Sequence, residues 1–381
     1  MADVNIISPK FAENVQKAAN GFLPSGDDGS IDAFLASWNN FKSLLNKSVT
    51  AGSVFSNPIV STYSLVYTVA AATGFIGGVM SQNGDIYSLP NSGKVGQRIS
   101  SSGVVSTFSL IYTATSNSYA GGVLAPNGDI HFAPQLAAVG QKINSSGVVS
   151  TYSLVYTAAV QSLFYGGILA PNGDIHFIPG QSPVGQKINS SGVVSTYSLI
   201  TSGGYNGGVL APNGDIHFVP STAAVGQKIN ISGVVSTYSL IYTATGVAYR
   251  GGVLSSNGDI HFVPSQAPVG QKISISGAVS TYSLVYTGIN LYHGGVLAPN
   301  GDIHFVPRAA AVGQKISISG VVSTYSLIYT NTVQSHNGGV LTPNGDIIFI
   351  NAAATVGQKI STTAILPFDI GTCCSSFLNK F

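Results

Sequence analysis

The feature that most constrains this chain is a repeat of about 44 residues. Its clearest marker is the triplet "NGD", and successive copies lie 44, 45, 41, 44, 43 and 44 residues apart. The seven copies end at Asp85, Asp129, Asp174, Asp215, Asp259, Asp302 and Asp346. The motifs "VGQK" (once "VGQR") and "STYSL" (once "STFSL") also recur seven times. Three markers that agree on seven units indicate one repeat architecture.

Each unit is predicted to form four short strands. The first is "GGVLA", and the Asn-Gly pair that follows supplies the positive φ of a hairpin turn. The second is "DIHFVP", the third is "VGQKI", and the fourth is "VVSTYSLIYT" after a Ser-Gly turn. β-Branched and aromatic residues dominate, and no helical period appears from 59 to 361. Seven such units predict an all-β fold, a seven-bladed β-propeller of four-stranded blades over residues 51–361.

The order of the fragments predicts how the ring closes. The array begins with a fourth-strand sequence at Ile59 and ends with a third-strand sequence at Val356. We expect the N-terminal strand to complete the last blade, which removes an open sheet edge. The alternative is that the segment from Thr362 to Phe368 supplies this strand.

Composition excludes several classes of function. Only 7% of the residues are charged and the net charge is +2, so nothing suggests a nucleic-acid surface. No run of about 18 apolar residues predicts membrane insertion, and no secretory signal is visible. The low charge fits blades that pack face to face and bury both sides of most strands. The two cysteines, Cys373 and Cys374, are expected to be buried thiols rather than a disulfide.

The two ends of the chain differ from the repeats. Residues 1–50 are predicted to form a short α-helical segment with an apolar stripe. Its candidate docking or self-association residues are Phe34, Trp38 and Phe41. Residues 362–381 form a C-terminal tail with further apolar residues.

Sequence variation among the repeats concentrates at one end of the predicted blades. The "PNGD" and "SG" turns, which barely change, define a turn face; the variable loops define the opposite, variable-loop face. Binding residues usually lie in loops on a rigid scaffold, so this second face is the candidate for ligand or partner contact.

Two adjacent positions before each Gly pair are candidates for that contact. The first always carries a ring, which could stack on a sugar or pack between blades; these residues are Phe75, Tyr119, Phe164, Tyr205, Tyr249, Tyr292 and His336. The second position varies more and adds Arg250 and His293 as candidate binding residues.

The repeated "DIHF" motif places an Asp and a His on one strand face, as in Asp302 and His304. Five copies carry this pair, whereas Tyr87 and Ile348 replace the His in the first and last repeats. Equivalent copies offer no distinctive pocket, and a metal site needs three or four converging ligands. We therefore expect a structural role and predict no catalytic residue, no metal and no cofactor.

The combination of "GGVLAPNGDIHFVP", "VGQKI" and "GVVSTYSLVYT", ending in "FLNKF", resembles propeller-repeat proteins encoded by tailed bacteriophages and other large DNA viruses. The resemblance covers residues 59 to 381. It implies a non-enzymatic virion component, either a capsid decoration or a tail or fibre appendage. The implied partners are other virion proteins and a host surface. The alternative is a glycan-binding propeller that uses the ring positions on the variable-loop face.

Overall fold

The computed structural model describes residues 58–68, 73–113, 116–157, 162–243, 246–330 and 334–362. Within these ranges, 28 strands form seven four-stranded antiparallel sheets. The predicted seven-bladed propeller of four-stranded blades is confirmed. The helical part of the prediction needs correction, because every regular element of the described residues is a strand. The proposed helices with Phe34, Trp38 and Phe41 lie outside the described residues, as does the tail with both cysteines.

The strands repeat in a fixed order from the axis of the propeller outwards. The innermost strands are β2 (Phe75–Met80), β6 (Tyr119–Leu124), β10 (Phe164–Leu169), β14 (Tyr205–Leu210), β18 (Tyr249–Leu254), β22 (Tyr292–Leu297) and β26 (His336–Leu341). The second strands are β3 (Ile86–Pro90), β7 (Ile130–Pro134), β11 (Ile175–Pro179), β15 (Ile216–Pro220), β19 (Ile260–Pro264), β23 (Ile303–Pro307) and β27 (Asp346–Asn351).

The third strands are β4 (Gly96–Ile99), β8 (Val139–Ile143), β12 (Val184–Ile188), β16 (Gly226–Ile229), β20 (Val269–Ile273), β24 (Val312–Ile316) and β28 (Gly357–Ser361). The outer strands are β5 (Val105–Phe108), β9 (Val149–Ser153), β13 (Val194–Ser198), β17 (Val235–Tyr238), β21 (Val279–Ser283), β25 (Val322–Ser326) and β1 (Ile59–Tyr63). We number the blades 1 to 7 in the order of their innermost strands.

The N-terminal strand closes the ring, as the order of fragments predicted. Strand β1 pairs antiparallel with β28, and Ile59 lies opposite Ser361. Blade 7 is therefore assembled from both ends of the propeller sequence, in the order β1-β28-β27-β26. Its innermost strand β26 contacts β2 of blade 1, which completes the circle.

The core lies between neighbouring blades. All five residues of β23 are buried, and Phe305 has no exposed surface. In the junction of blades 5 and 6, Val253 and Val263 pack against Tyr292 and Phe305. Burying one such side chain contributes about 2 kcal/mol, and the arrangement repeats around the ring. Since both faces of the second strands are covered, a low content of charged residues is compatible with this fold. The described residues contain no helix long and apolar enough to cross a membrane.

A buried glutamine joins each blade to the preceding one. Oε1 of Gln227 in blade 4 accepts hydrogen bonds from the backbone N–H groups of Ile200 and Thr201, which follow the outer strand of blade 3, at 3.0 and 2.9 Å. The equivalent side chains, which are likewise fully buried, are Gln97, Gln141, Gln186, Gln271, Gln314 and Gln358. The "Q" of "VGQK" is thus the polar link between blades, a role that the repeat pattern did not reveal.

Candidate functional site

The repeated Asp and His do not form a pair with each other. Oδ2 of Asp302 lies 2.7 Å from Nζ of Lys315, whereas Nδ1 of His304 lies 3.3 Å from the hydroxyl oxygen of Tyr325. Burial lowers the pKa of His304 to about 3, so the ring is neutral at pH 7. In blade 6, the Asp and the His thus have different partners within their own blade, an arrangement compatible with the expected structural role of the motif.

The ring position before each Gly pair serves packing rather than ligand contact. The exposed fraction of these side chains is between 0 and 1%, and the residues concerned are Phe75, Tyr119, Phe164, Tyr205, Tyr249, Tyr292 and His336. Tyr292, for example, packs 5.6 Å from the ring centroid of Phe305, and its hydroxyl donates to the carbonyl of Val312 at 3.1 Å. The suggestion that these rings stack on a sugar is therefore corrected: a ligand cannot reach them.

The next two residues of each innermost strand form a β-bulge. In blade 6, Tyr292 lies opposite Pro307 and Gly295 lies opposite Phe305. The two residues between them, His293 and Gly294, therefore lie opposite a single residue of the partner strand. The same shift occurs in the innermost pair of every blade. The bulge lets the first glycine of each pair adopt a positive φ.

These glycines contact one another around the axis of the propeller. We call them the glycine ring: Gly77, Gly121, Gly166, Gly207, Gly251, Gly294 and Gly338. A Cβ atom added to Gly251 would lie 3.0 Å from Cα of Gly294, and each member of the ring faces the next in this way, Gly338 facing Gly77. At six of the seven positions an added Cβ would lie only 3.0–3.2 Å from the next glycine, and φ is positive at all seven, so both the close approach and the backbone conformation favour glycine.

The residue that precedes each member of the glycine ring lies nearer the variable-loop face. We call these seven residues the axial ring. Its members are Ile76, Ala120, Tyr165, Asn206, Arg250, His293 and Asn337. The scaffold around these positions repeats from blade to blade, yet the axial ring contains six residue types in seven places. It forms the mouth of the axis on the variable-loop face, directly above the glycine ring.

The polar half of the axial ring forms a connected group. Nδ1 of His293 donates a hydrogen bond to Oδ1 of Asn337 at 2.9 Å. Burial lowers the pKa of His293 to about 3, and the nearby Arg250 and Arg308 guanidinium groups contribute in the same direction. Arg308 follows the second strand of blade 6 and is 8% exposed. Burial and the proximity of Arg250 lower the pKa of Arg308 to about 10.

Neither arginine has a carboxylate partner among the described residues. These residues contain seven acidic side chains, and each forms an ion pair with the Lys or Arg of its own third strand at 2.6–2.7 Å. The Nε atoms of Arg250 and Arg308 are buried, and no described residue forms a hydrogen bond with them. The site therefore holds two positive charges that the described residues do not neutralise.

Sequence reasoning found half of this group. Arg250 and His293 were candidates, and the structure brings them together. Asn337 was visible at the same variable position, but Arg308 was missed because it belongs to another loop, "RAAA", whose contact with the axis depends on the closed ring. The sequence did contain a signal for Arg308, since it is the only charged residue at the first position of these four-residue loops.

No family model matches this chain, and no curated protein matches it. Among solved structures, it shares its propeller fold with virginiamycin B lyase of Staphylococcus aureus, at 17% identity and a TM-score of 0.69 over 80% of this chain and 99% of that one. A catalytically inactive variant of that lyase with quinupristin gives 18% identity and a TM-score of 0.70, with 80% and 99% covered. The WD40 β-propeller domain of Doa1 is 14% identical, with a TM-score of 0.59 over 79% of this chain and 97% of that domain.

These likenesses show the fold and correct one prediction. The chain was expected not to be an enzyme because its blades repeat almost unchanged, but virginiamycin B lyase is an enzyme with the same fold. The blades are also less uniform than the repeats suggest, since the axial ring makes blades 5 to 7 chemically different from blades 1 and 2. Uniform blades therefore do not argue against a specialised site.

Proposed function

We propose that this chain is the recognition propeller of a virus particle and that it contacts its target through the variable-loop face. The observation that carries the proposal is the axial ring. Seven positions at the same height around the axis differ in chemistry, although the surrounding strands repeat. Ligands in repeat scaffolds are commonly bound by variable residues on a constant framework.

The positions of the first and last strands of the propeller support the same orientation. Ile59 and Ser361 pair at the start of β1 and the end of β28, at the turn face of blade 7. The propeller sequence thus begins and ends on one face, and the axial ring lies on the other. A particle that contacts the turn face would leave the axial ring accessible.

The assignment to a virus particle rests on the resemblance of the repeat motifs. Mass spectrometry of purified particles tests it directly, and we expect this chain at a fixed ratio to the major capsid protein. Its absence from purified particles would overturn the virion part of the proposal.

The recognition face is tested by binding of the purified protein to host cells. The double variant His293→Ala/Asn337→Ala removes the hydrogen-bonded pair of the axial ring, and we expect binding to fall at least about tenfold. Ser319→Ala, in an exposed turn on the opposite face, is the matched control and should bind as the parent does. Equal binding by all three proteins would show that another surface makes the contact.

A further inference from the structure

We propose that the mouth of the axis binds an oxyanion, a carboxylate, sulfate or phosphate group of the ligand, between Arg250 and Arg308. This inference deepens the proposed function, because it names the chemistry of the group that the axial ring would recognise. It can also stand alone, since anion binding is measurable without a host or a particle.

Neither arginine is neutralised by a carboxylate of the described residues. A buried guanidinium is strongly disfavoured unless its donors meet an acceptor. Arg308 is 8% exposed, and no described residue forms a hydrogen bond with its Nε atom or with the buried Nε atom of the half-buried Arg250. The Arg250 guanidinium lies within electrostatic reach of Arg308 and raises the cost of burying that charge, so a bound anion would stabilise the site.

The described carboxylates lie at the opposite face of the propeller from the two arginines. In each blade, the Asp of the "NGD" turn lies at the turn face and pairs with the third-strand cation, as Asp259 does with Lys272 at 2.7 Å. None of the described carboxylates belongs to the variable-loop end of an innermost strand. An arriving anion would therefore meet arginines there and no competing acid among the described residues.

The shape of the arginine donors also favours an oxyanion. Guanidinium groups present several N–H donors in a plane that matches the oxygens of carboxylate, sulfate and phosphate. Arg250 and His293 are only partly buried, so the group is open to solvent on the variable-loop face. Below it, the glycine ring brings the backbones of the innermost strands close together.

A fourth side chain is suited to complete the site. Ser265 occupies in blade 5 the loop position that Arg308 occupies in blade 6. It is 1% exposed, and no described residue forms a hydrogen bond with its hydroxyl. Its backbone carbonyl accepts a hydrogen bond from the N–H of Leu291, which places Ser265 beside the start of β22. A hydroxyl donor at this point suits an anion that already contacts the two arginines.

The test is calorimetric titration of the full-length protein with sodium sulfate, inorganic phosphate and sodium glucuronate, at constant ionic strength maintained with chloride. We expect saturable binding of at least one of the three, and the strongest of them identifies the source of the oxyanion. Arg250→Gln and Arg308→Gln should each weaken that binding at least about tenfold. Lys94→Gln removes an exposed cation from a loop on the same face and should change the affinity less than about twofold.

Two controls keep the result decisive if a glutamine variant folds poorly. Arg308→Lys retains the charge without the planar donor pair and should bind more weakly than the parent. In the unmodified protein, saturation with the anion should raise the pKa of His293. This pKa is measured by an NMR titration of the imidazole. Lack of saturable binding by the parent, unchanged binding by both glutamine variants, or an equal loss in Lys94→Gln would each overturn the proposal.

The two proposals fail in distinguishable ways. Oxyanion binding that depends on both arginines, without any binding to host cells, would remove the proposed function and keep this site. Host-cell binding that depends on His293 and Asn337, without oxyanion binding, would keep the function and remove the anion chemistry.

Discussion

Nδ1 of His293 lies 2.9 Å from Oδ1 of Asn337, across the junction between blades 6 and 7. The two residues hold the same position in consecutive repeats, so the bond connects equivalent points of the ring. Because the amide oxygen accepts, the imidazole carries its proton on Nδ1. Its orientation is thereby fixed beside Arg250 and Arg308, where burial and the two positive charges keep it neutral.

The seven histidines make the stability of the propeller dependent on pH. Burial is the main cause that lowers the pKa of each: to about 4 for His131, His176, His217, His261 and His336, and to about 3 for His293 and His304. The unfolded chain binds these protons near pH 6.5, whereas the folded chain binds them only near pH 3 to 4. Stability is therefore complete above pH 6.5 and falls as the pH drops towards 4.

Each histidine should contribute about 1.4 kcal/mol per pH unit inside that window. We expect urea unfolding at pH 7, 5.5 and 4.5 to show a steep decline in the free energy of unfolding. His261→Ile is the matched variant, since blade 7 carries Ile348 at the same position. The free energy of unfolding of this variant should fall less steeply with decreasing pH, by the contribution of one histidine. An identical slope would contradict the assignment of the pH dependence to these side chains.

The glycine ring should resist substitution more than the turns do. Gly251 has a φ of +79°, and an added Cβ would approach Cα of Gly294 to 3.0 Å. Gly233 has a φ of +81° in a turn where an added Cβ would meet nothing within 4 Å. Gly233→Ala should cost about 1–2 kcal/mol from backbone strain alone. Gly251→Ala adds a backbone clash and should cost about 1–3 kcal/mol more, measured by chemical denaturation. Equal losses would mean that the inner strands can separate freely.

The buried glutamine should matter far more than the ion pair beside it. In Gln227→Leu, two backbone N–H groups lose their acceptor in a dry junction, and we expect a loss of about 2–4 kcal/mol. Its neighbour Lys228 pairs with Asp215 at 2.6 Å, but about a third of the lysine side chain is exposed. Lys228→Met should therefore cost less than about 1 kcal/mol. Comparable losses in the two variants would argue against a specific link between blades 3 and 4.

Removing the unpaired cation of the mouth should stabilise the protein while it abolishes anion binding. Arg308→Met replaces a buried guanidinium by an apolar chain of similar length, and we expect a gain of about 1–2 kcal/mol in the free energy of unfolding. Arg98→Met is the comparison, because Arg98 pairs with Asp85 at 2.6 Å and should give no gain. A clear loss of stability in Arg308→Met would show that the guanidinium is already satisfied within the protein.

The sequence predicted the scaffold because the relevant signals are local. The Asn-Gly turns, the alternation within each strand and the period of about 44 residues act within one blade. The leading β1 sequence favoured closure by the N-terminal strand but left the segment from Thr362 to Phe368 as an alternative. The site depends on contacts between blades, which a repeat pattern does not contain. Tyr292 and His293 are neighbours in the chain, yet the bulge sends the first into the core and the second to the mouth. Arg308 reaches Arg250 only because two consecutive blades meet at the axis.

The pairing of β1 with β28 also has a consequence for synthesis on the ribosome. Strand β1 emerges first, but its partner appears about 300 residues later, which at 5–20 residues per second is roughly 15–60 s. During this delay blade 7 does not exist, and the growing chain carries an unmatched strand edge. Ser61 and Thr62 make β1 partly polar, which lowers its tendency to pair with another nascent chain. The ring can therefore close only after translation has passed Ser361. Until then, the earlier blades belong to an open array.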